Sequence, residues 1–223
     1  MQVGNARYLK SRDLPDAVAI FPLTGALLLP TGQLPLNVFE PRYLAMIDAA
    51  LAGNRLIGVV QPAFGEHEVK NGEPHLASVG CLGRITSFAE TGDGRYIVSL
   101  TGICRFRVLE EKHTHDPFRT FRIAPFISDL SAQNEEDAVD RAALLAAFKA
   151  YLDANKLEAD WESVERASNM TLVNSLAMMS PFGPAEKQAL LEAPDLKTRA
   201  ETLIAITEIV LARVFGDSDT VLQ

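Results

Sequence analysis

An α+β fold, with a β-rich module at residues 1–128 and an α-helical bundle at residues 129–223, is what this sequence predicts. Three observations carry the prediction. Apolar residues of the first part alternate with period two between Gly and Pro breaks, whereas those of the second recur at helical spacing. Charge divides at the same place: residues 1–128 carry 13 basic and 12 acidic side chains, residues 129–223 carry 8 and 17, so the first part is near neutral and the second strongly acidic. The composition, 48% apolar and 22% charged over 223 residues, is that of an ordinary globular chain, able to bury a core without metal or disulfide.

Strands are predicted at 19–23, 34–39, 56–60, 79–88, 96–100, 103–109 and 119–127. Thr91-Gly92-Asp93-Gly94 separates two alternating runs, and Asp93-Gly94 is expected to supply the positive φ angles a tight hairpin needs. Along 103–109, Cys104, Phe106 and Val108 are expected to point into a core, with Arg105 and Arg107 on the solvated face alongside Arg84. Seven short strands of this kind suggest a compact barrel. One helix interrupts them: Pro41 suits a first helical position, Tyr43, Met46, Ile47 and Ala50 follow at i, i+3, i+4 and i+7, and Gly53 ends the run. Its apolar stripe is expected to plug one mouth of the barrel. Further helices are predicted at 138–153, 161–179, 184–192 and 195–215, with Pro181, Pro184 and Pro194 as breakers. In the last of them Leu196, Ala200, Leu203, Thr207, Val210 and Val214 share a face that must pack on other helices.

Several functions are disfavoured. A net charge of −8 repels nucleic acid and anionic lipid, and no stretch reaches the ~20 apolar residues of a membrane helix. Cys81 and Cys104 in strand-like settings, with no signal-type start, point to two free thiols and a cytoplasmic location. No phosphate-binding loop precedes a Lys-Ser or Lys-Thr pair, and Ser78 lacks the flanking glycine of a nucleophile elbow. His113 and His115 could begin a zinc site but lack further ligands, and Glu110-Glu111 and Glu135-Glu136 read as solvated faces, so neither metal nor cofactor is expected. Ten of the fourteen arginines lie in the first part, yet no aromatic ladder is interleaved with them for base stacking.

Ile20-Phe21-Pro22-Leu23, Leu27-Leu28-Leu29-Pro30 with Gly32, and Leu34-Pro35-Leu36 lead into Phe39-Glu40-Pro41-Arg42-Tyr43. Downstream come Gly58-Val59-Val60, then Gly83-Arg84-Ile85 closing the run from Val79, then Gly94-Arg95-Tyr96, then Gly102 with Arg105-Phe106. In this order they resemble the N-terminal, substrate-recognising domain of Lon proteases. The helical remainder, with Pro181-Phe182 and Glu186-Lys187-Gln188, looks like the companion bundle of stand-alone bacterial members. The resemblance implies a PUA-like pseudo-barrel plus helices: a non-catalytic module for unfolded or tagged polypeptides in quality control or proteolysis, with a protease as a further partner. No ATPase motor or proteolytic domain is in the sequence, so any peptidase name would be inherited from the family. An RNA-binding or small-ligand-binding PUA-like protein is the alternative.

The motif residues are expected to act mainly in the fold. Glu40 is expected to cap the helix through its carboxylate, Pro41 to fix its entry, and Arg42 or Tyr43 to lock it to the barrel, while Gly83, Gly94 and Gly102 serve backbone needs. Two side chains are candidates for polypeptide contact. Leu28 lies amid three consecutive leucines that cannot all face inward from an extended segment, and Phe64 lies in a nearby Pro- and Gly-containing loop.

Overall fold

The computed structural model describes residues 1–63, 73–131 and 138–219, the last six by backbone alone. The chain forms two compact units, one of Met1–Ala132 with Pro181–Leu191, the other of Gln133–Ser180 with Glu192–Gln223. Residues 181–191, expected in the helical module, thus belong with the strands.

A short hairpin of β1 (Gln2–Val3) and β2 (Ala6–Arg7) opens the first unit. It continues with β3 (Ala17–Pro22), β4 (Gln33–Val38), the helix α1 (Pro41–Ala52), β5 (Leu56–Val60), β6 (Val79–Glu90), β7 (Tyr96–Lys112) and β8 (Thr120–Pro125). The sheet runs β4-β7-β6-β5-β3-β8, and β8 pairs back onto β7, so five strands close a ring with β4 outside it. All neighbours are antiparallel except β3 and β5, where Ile20 pairs with Gly58. The ring closes because β7 is long enough for two jobs. Residues 96–101 pair with β4, and Phe106 to Lys112 pair with β8. The two strands expected at 96–100 and 103–109 are therefore one, since Thr101 and Gly102 stay in the ladder opposite Arg84 and Gly83.

Phe106 fills the ring interior among Val18, Ile20, Leu82, Ile103 and Phe121. Its ring occupies space that glycines vacate: a Cβ at Gly58 would come within 2.8 Å of its Cζ, and one at Gly80 within 2.9 Å. At Gly102 the backbone itself approaches, with the Leu29 carbonyl oxygen 2.0 Å from where a Cβ would sit. On α1 the buried residues are Tyr43, Met46, Ile47 and Ala50, the stripe read from the sequence.

Two expectations fail in this unit. Arg105 is only 4% exposed, because the turn Ile127–Leu130 and the end of the helix α5 (Pro184–Glu192) lie against that side of β7. Asp129 supplies the countercharge: its Oδ1 accepts from Nη2 at 2.8 Å, and its Oδ2 accepts from Nε at 2.9 Å and from the Arg105 backbone N–H at 2.8 Å. A bidentate, fully bonded pair is the form in which buried charge is tolerated. Leu28 is 1% exposed and its neighbours Leu27 and Leu29 are equally buried. The segment between β3 and β4 that holds them is no strand, so strict alternation does not apply, and Leu28 packs on Gly83.

The first residues of α5 are clasped by two glutamines. Gln61 Nε2 donates to the Pro184 carbonyl at 3.0 Å and to Gln188 Oε1 at 3.2 Å, while Gln188 Nε2 donates to the Val79 carbonyl at 3.2 Å. Gly25 N–H donates to Gln61 Oε1 at 2.9 Å.

The second unit contains α2 (Arg141–Asn155), α3 (Trp161–Arg166), α4 (Asn169–Met179) and α6 (Leu196–Asp219). Side-chain oxygens start each of them: Asp140 accepts from Ala143 N–H, Asp160 from Ser163 N–H, Ser168 from Thr171 N–H and Asp195 from Thr198 N–H. The single helix expected over 161–179 is two, because Ala167 turns extended (ψ 143) and Ser168 caps a new start. Leu196, Ala200, Leu203 and Thr207 of α6 are buried, and α2 and α4 contribute Leu144, Tyr151, Leu172, Val173 and Ala177. Arg141 fastens the far side by donating to the carbonyls of Val164 and Ala167 and to Asn169 Oδ1. Among the described residues no helix is long and apolar enough to cross a membrane.

Candidate functional site

β3 ends in Phe21-Pro22 and β4 in Val38 just before α1 begins, so these three ends meet at one corner of the first unit. With Glu73 and Pro74 they enclose a cleft of about 380 Å³. Phe21 and Tyr43 floor it, their ring centroids 4.4 Å apart. Burial pushes the Tyr43 phenol above its ordinary value, against the pull of the Arg42 guanidinium, so the hydroxyl stays neutral. Arg42 lies over the Tyr43 ring at 4.8 Å and bridges two carboxylates, Glu40 through Nε at 3.2 Å and Glu73 through Nη1. Glu40 therefore spends its carboxylate on Arg42, and it is its backbone carbonyl that accepts from Tyr43 and Leu44. The expected carboxylate cap is absent, whereas Pro41 holds the first helical turn as expected.

A second hollow of about 360 Å³ shares Glu73 and Pro74 with the first and adds Leu76, Leu109 and Phe121. Arg119 stands at its rim, donating to the Pro74 carbonyl at 2.8 Å and to both Glu111 oxygens at 2.8 and 3.0 Å. The result is a pair of adjoining depressions, the first floored by aromatic rings, with guanidinium–carboxylate pairs along the edges. Away from these depressions, in the core, burial pushes the Cys104 thiol up to about 12, with the Asp129 carboxylate adding to the effect. Among the described residues no group of three His, Cys, Asp or Glu could hold a metal.

The family model described as the ATP-dependent protease La (LON) substrate-binding domain matches residues 17–208. The chain belongs to this family. Curated relatives include Lon protease 2 of Myxococcus xanthus, 27% identical over 202 residues that make up 89% of this chain and 24% of the relative. Lon protease of Parabacteroides distasonis is 31% identical over 204 residues, 86% of this chain and 24% of the relative. The chain thus spans about a quarter of the length of these relatives. Among solved structures, the Lon N-terminal domain protein from Xanthomonas campestris superposes with a TM-score of 0.60 at 23% identity, covering 85% of this chain and 97% of that one. The N-terminal domain of Mycobacterium avium complex Lon protease gives 0.63 at 18% identity, covering 86% and 98%. These likenesses establish the α+β fold.

In this LON substrate-binding domain the motif residues part company. Phe39, Glu40, Pro41, Arg42 and Tyr43 form the cleft corner, and Phe39 stands at its lip, 61% exposed, with Arg95 over its ring at 6.0 Å. Arg95 also pairs with Asp93 at 3.3 Å, next to Gly94 at φ 86. Tyr96 packs edge-on to Phe88 at 4.9 Å. Gly83, Gly102 and Phe106 serve the core, and Arg84 is engaged away from the cleft by Tyr8, Asn5 and the Asn54 carbonyl. Leu28 is not a surface residue, which removes it from the contact candidates, and Phe64 lies outside the described residues. The motifs do not single out Glu73, Arg119 or the 51% exposed Ile97. For Ile97 a signal exists: alternation in Tyr96-Ile97-Val98 sets it opposite its buried neighbour Val98.

Proposed function

We propose that the protein is a non-catalytic polypeptide-binding module, and that the cleft at the Phe39–Tyr43 corner holds an extended apolar segment of an unfolded or tagged polypeptide. The observation that carries this reading is Phe39, a large apolar side chain left in solvent at the mouth of an aromatic-floored cleft. Membership of the LON substrate-binding family supports the ligand class, and the relatives suggest work beside a protease in cytoplasmic quality control. Against the RNA alternative, Arg42, Arg105 and Arg119 are each bonded to carboxylates of this same chain.

The test is fluorescence anisotropy of a labelled, carboxymethylated, permanently unfolded model protein titrated with the full chain. Phe39→Ser is expected to weaken binding about fivefold, equivalent to roughly 1 kcal/mol of lost apolar burial, with no loss of thermal stability. Equal affinity in the two proteins rejects the cleft.

A further inference from the structure

Strand β4 is the member of the six-stranded sheet that stands outside the closed ring. β7 occupies one of its edges, and among the described residues no strand pairs with the other. One hydrogen bond tells which groups face the open side. Gly102 N–H donates to the Gly32 carbonyl at 2.9 Å, and the antiparallel register continues Leu34↔Leu100, Leu36↔Val98 and Val38↔Tyr96. Even-numbered residues therefore bond to β7, and Gln33, Pro35 and Asn37 turn their backbone groups outward. The open edge presents the N–H groups of Gln33 and Asn37 and the carbonyls of Gln33, Pro35 and Asn37. Pro35, which has no N–H, sits where the β7 ladder needs none.

One face beside this edge is apolar, and the other mixes apolar side chains with the uncharged polar Gln33 and Asn37. On one, Leu34 and Leu36 are only half-buried; on the other, Pro35 and Phe39 are exposed, with Ile97 opposite Asn37. From Gln33 to Phe39 no residue is charged. Sheet edges are ordinarily blunted by charged side chains, and this one has only a proline.

We propose that β4 is a docking edge for an extended, uncharged polypeptide segment, which adds a strand through backbone hydrogen bonds and sets apolar side chains against Phe39, Ile97 and Leu36. The inference rests on the polypeptide-binding reading above and adds the mode of capture. Complementarity selects the occupant: a charged segment would lose hydration beside a strand with no charge from Gln33 to Phe39, and the nearest charges are already paired, Arg95 with Asp93 and Arg42 with Glu40. The edge also leads into the cleft, whose wall includes Asn37, Val38 and Phe39, so one extended chain can occupy both.

The experiment uses the full chain and a capped seven-residue peptide of alternating threonine and valine, labelled through a polyethylene glycol tail. Asn37→Pro removes one outward donor while leaving the bonds to β7, and a threefold to tenfold weaker affinity is expected; Pro35→Val adds a donor and is expected to tighten binding by a similar factor. N-methylation along the peptide is expected to weaken binding at every second residue. If Asn37→Pro does not fold, as judged by circular dichroism, Pro35→Val and the methylation series decide. Unchanged affinity in the edge variants and no period-two pattern, with Phe39→Ser still defective, overturns the docking edge and leaves the cleft standing. No binding of peptide or unfolded protein overturns both. Sedimentation showing a dimer that the peptide does not dissociate assigns the edge to a second copy of the chain and overturns the proposal.

Discussion

Thirteen of the fourteen glycines lie in the β unit, and the helical unit has one, Gly216. In the β unit several of them mark places where a carbonyl or a ring comes too close for any Cβ, as Leu29 does at Gly102 and Phe106 does at Gly58 and Gly80. The helical unit instead relies on apolar stripes, four capped helix starts and the fan of bonds from Arg141. Backbone approach fixes geometry at single positions and tolerates no change there, whereas stripes and caps spread the stabilisation over many small contributions. The proposed docking edge, which would hold one strand at a set register, gains from the first kind of construction.

Trp161, the single tryptophan, lies in the helical unit, so its fluorescence follows that unit, while amide hydrogen exchange along β3 to β8 supplies a strand signal for the other. The largest effect is expected from Gly102→Ala. No rotamer relieves a clash between Cβ and a carbonyl, and a loss of about 3 kcal/mol is expected in urea denaturation. The strand signal is expected to lose more than the Trp161 signal; equal losses would mean that the two units unfold as one and would break the contrast. A smaller effect, about 2 kcal/mol read by Trp161, is expected from Arg141→Ala, which frees helix-end carbonyls from a partly buried cation. A change below about 0.5 kcal/mol would show the fan to be ornamental.

The smallest effect concerns acid. Hydrogen bonds from Ser163 hold the Asp160 carboxyl below the usual range, and those from Thr198 do the same for Asp195. A carboxyl whose folded value is depressed stabilises the fold above the unfolded value of about 4, and that contribution fades as pH falls through the folded value. The stability reported by Trp161 is expected to fall below about pH 4, and to fall less steeply in the double variant Asp160→Asn, Asp195→Asn. Identical pH profiles would remove the caps from the account.

Periodicity and turn residues make β5, α1 and the Thr91–Gly94 hairpin legible in the amino-acid sequence alone, since each depends on neighbours along the chain. Arg105 misleads for the opposite reason. Strand alternation sends it outward, and only Asp129, 24 residues later, and the Leu191 carbonyl, 86 residues later, make the buried position tenable. Leu28 misleads because alternation does not govern a segment that is not a strand. At the site, the motif from Phe39 to Tyr43 is visible as a string of letters, but Glu73 and Arg119 join it only through the fold, and no local pattern announces them.

The clasp between Gln61 and Gln188 joins residues 127 apart in sequence. During synthesis, chain elements appear in order, and β3 to β8 leave the ribosome long before Pro184 and Gln188 do. Until that helix arrives, the Gln61 amide, the Val79 carbonyl and one arm of the Arg105 guanidinium await acceptors and donors that the finished molecule gives them. Contacts this distant form slowly, because a long loop must close before they gain anything. The nascent protein therefore spends the interval with this clasp open and its first unit unfinished.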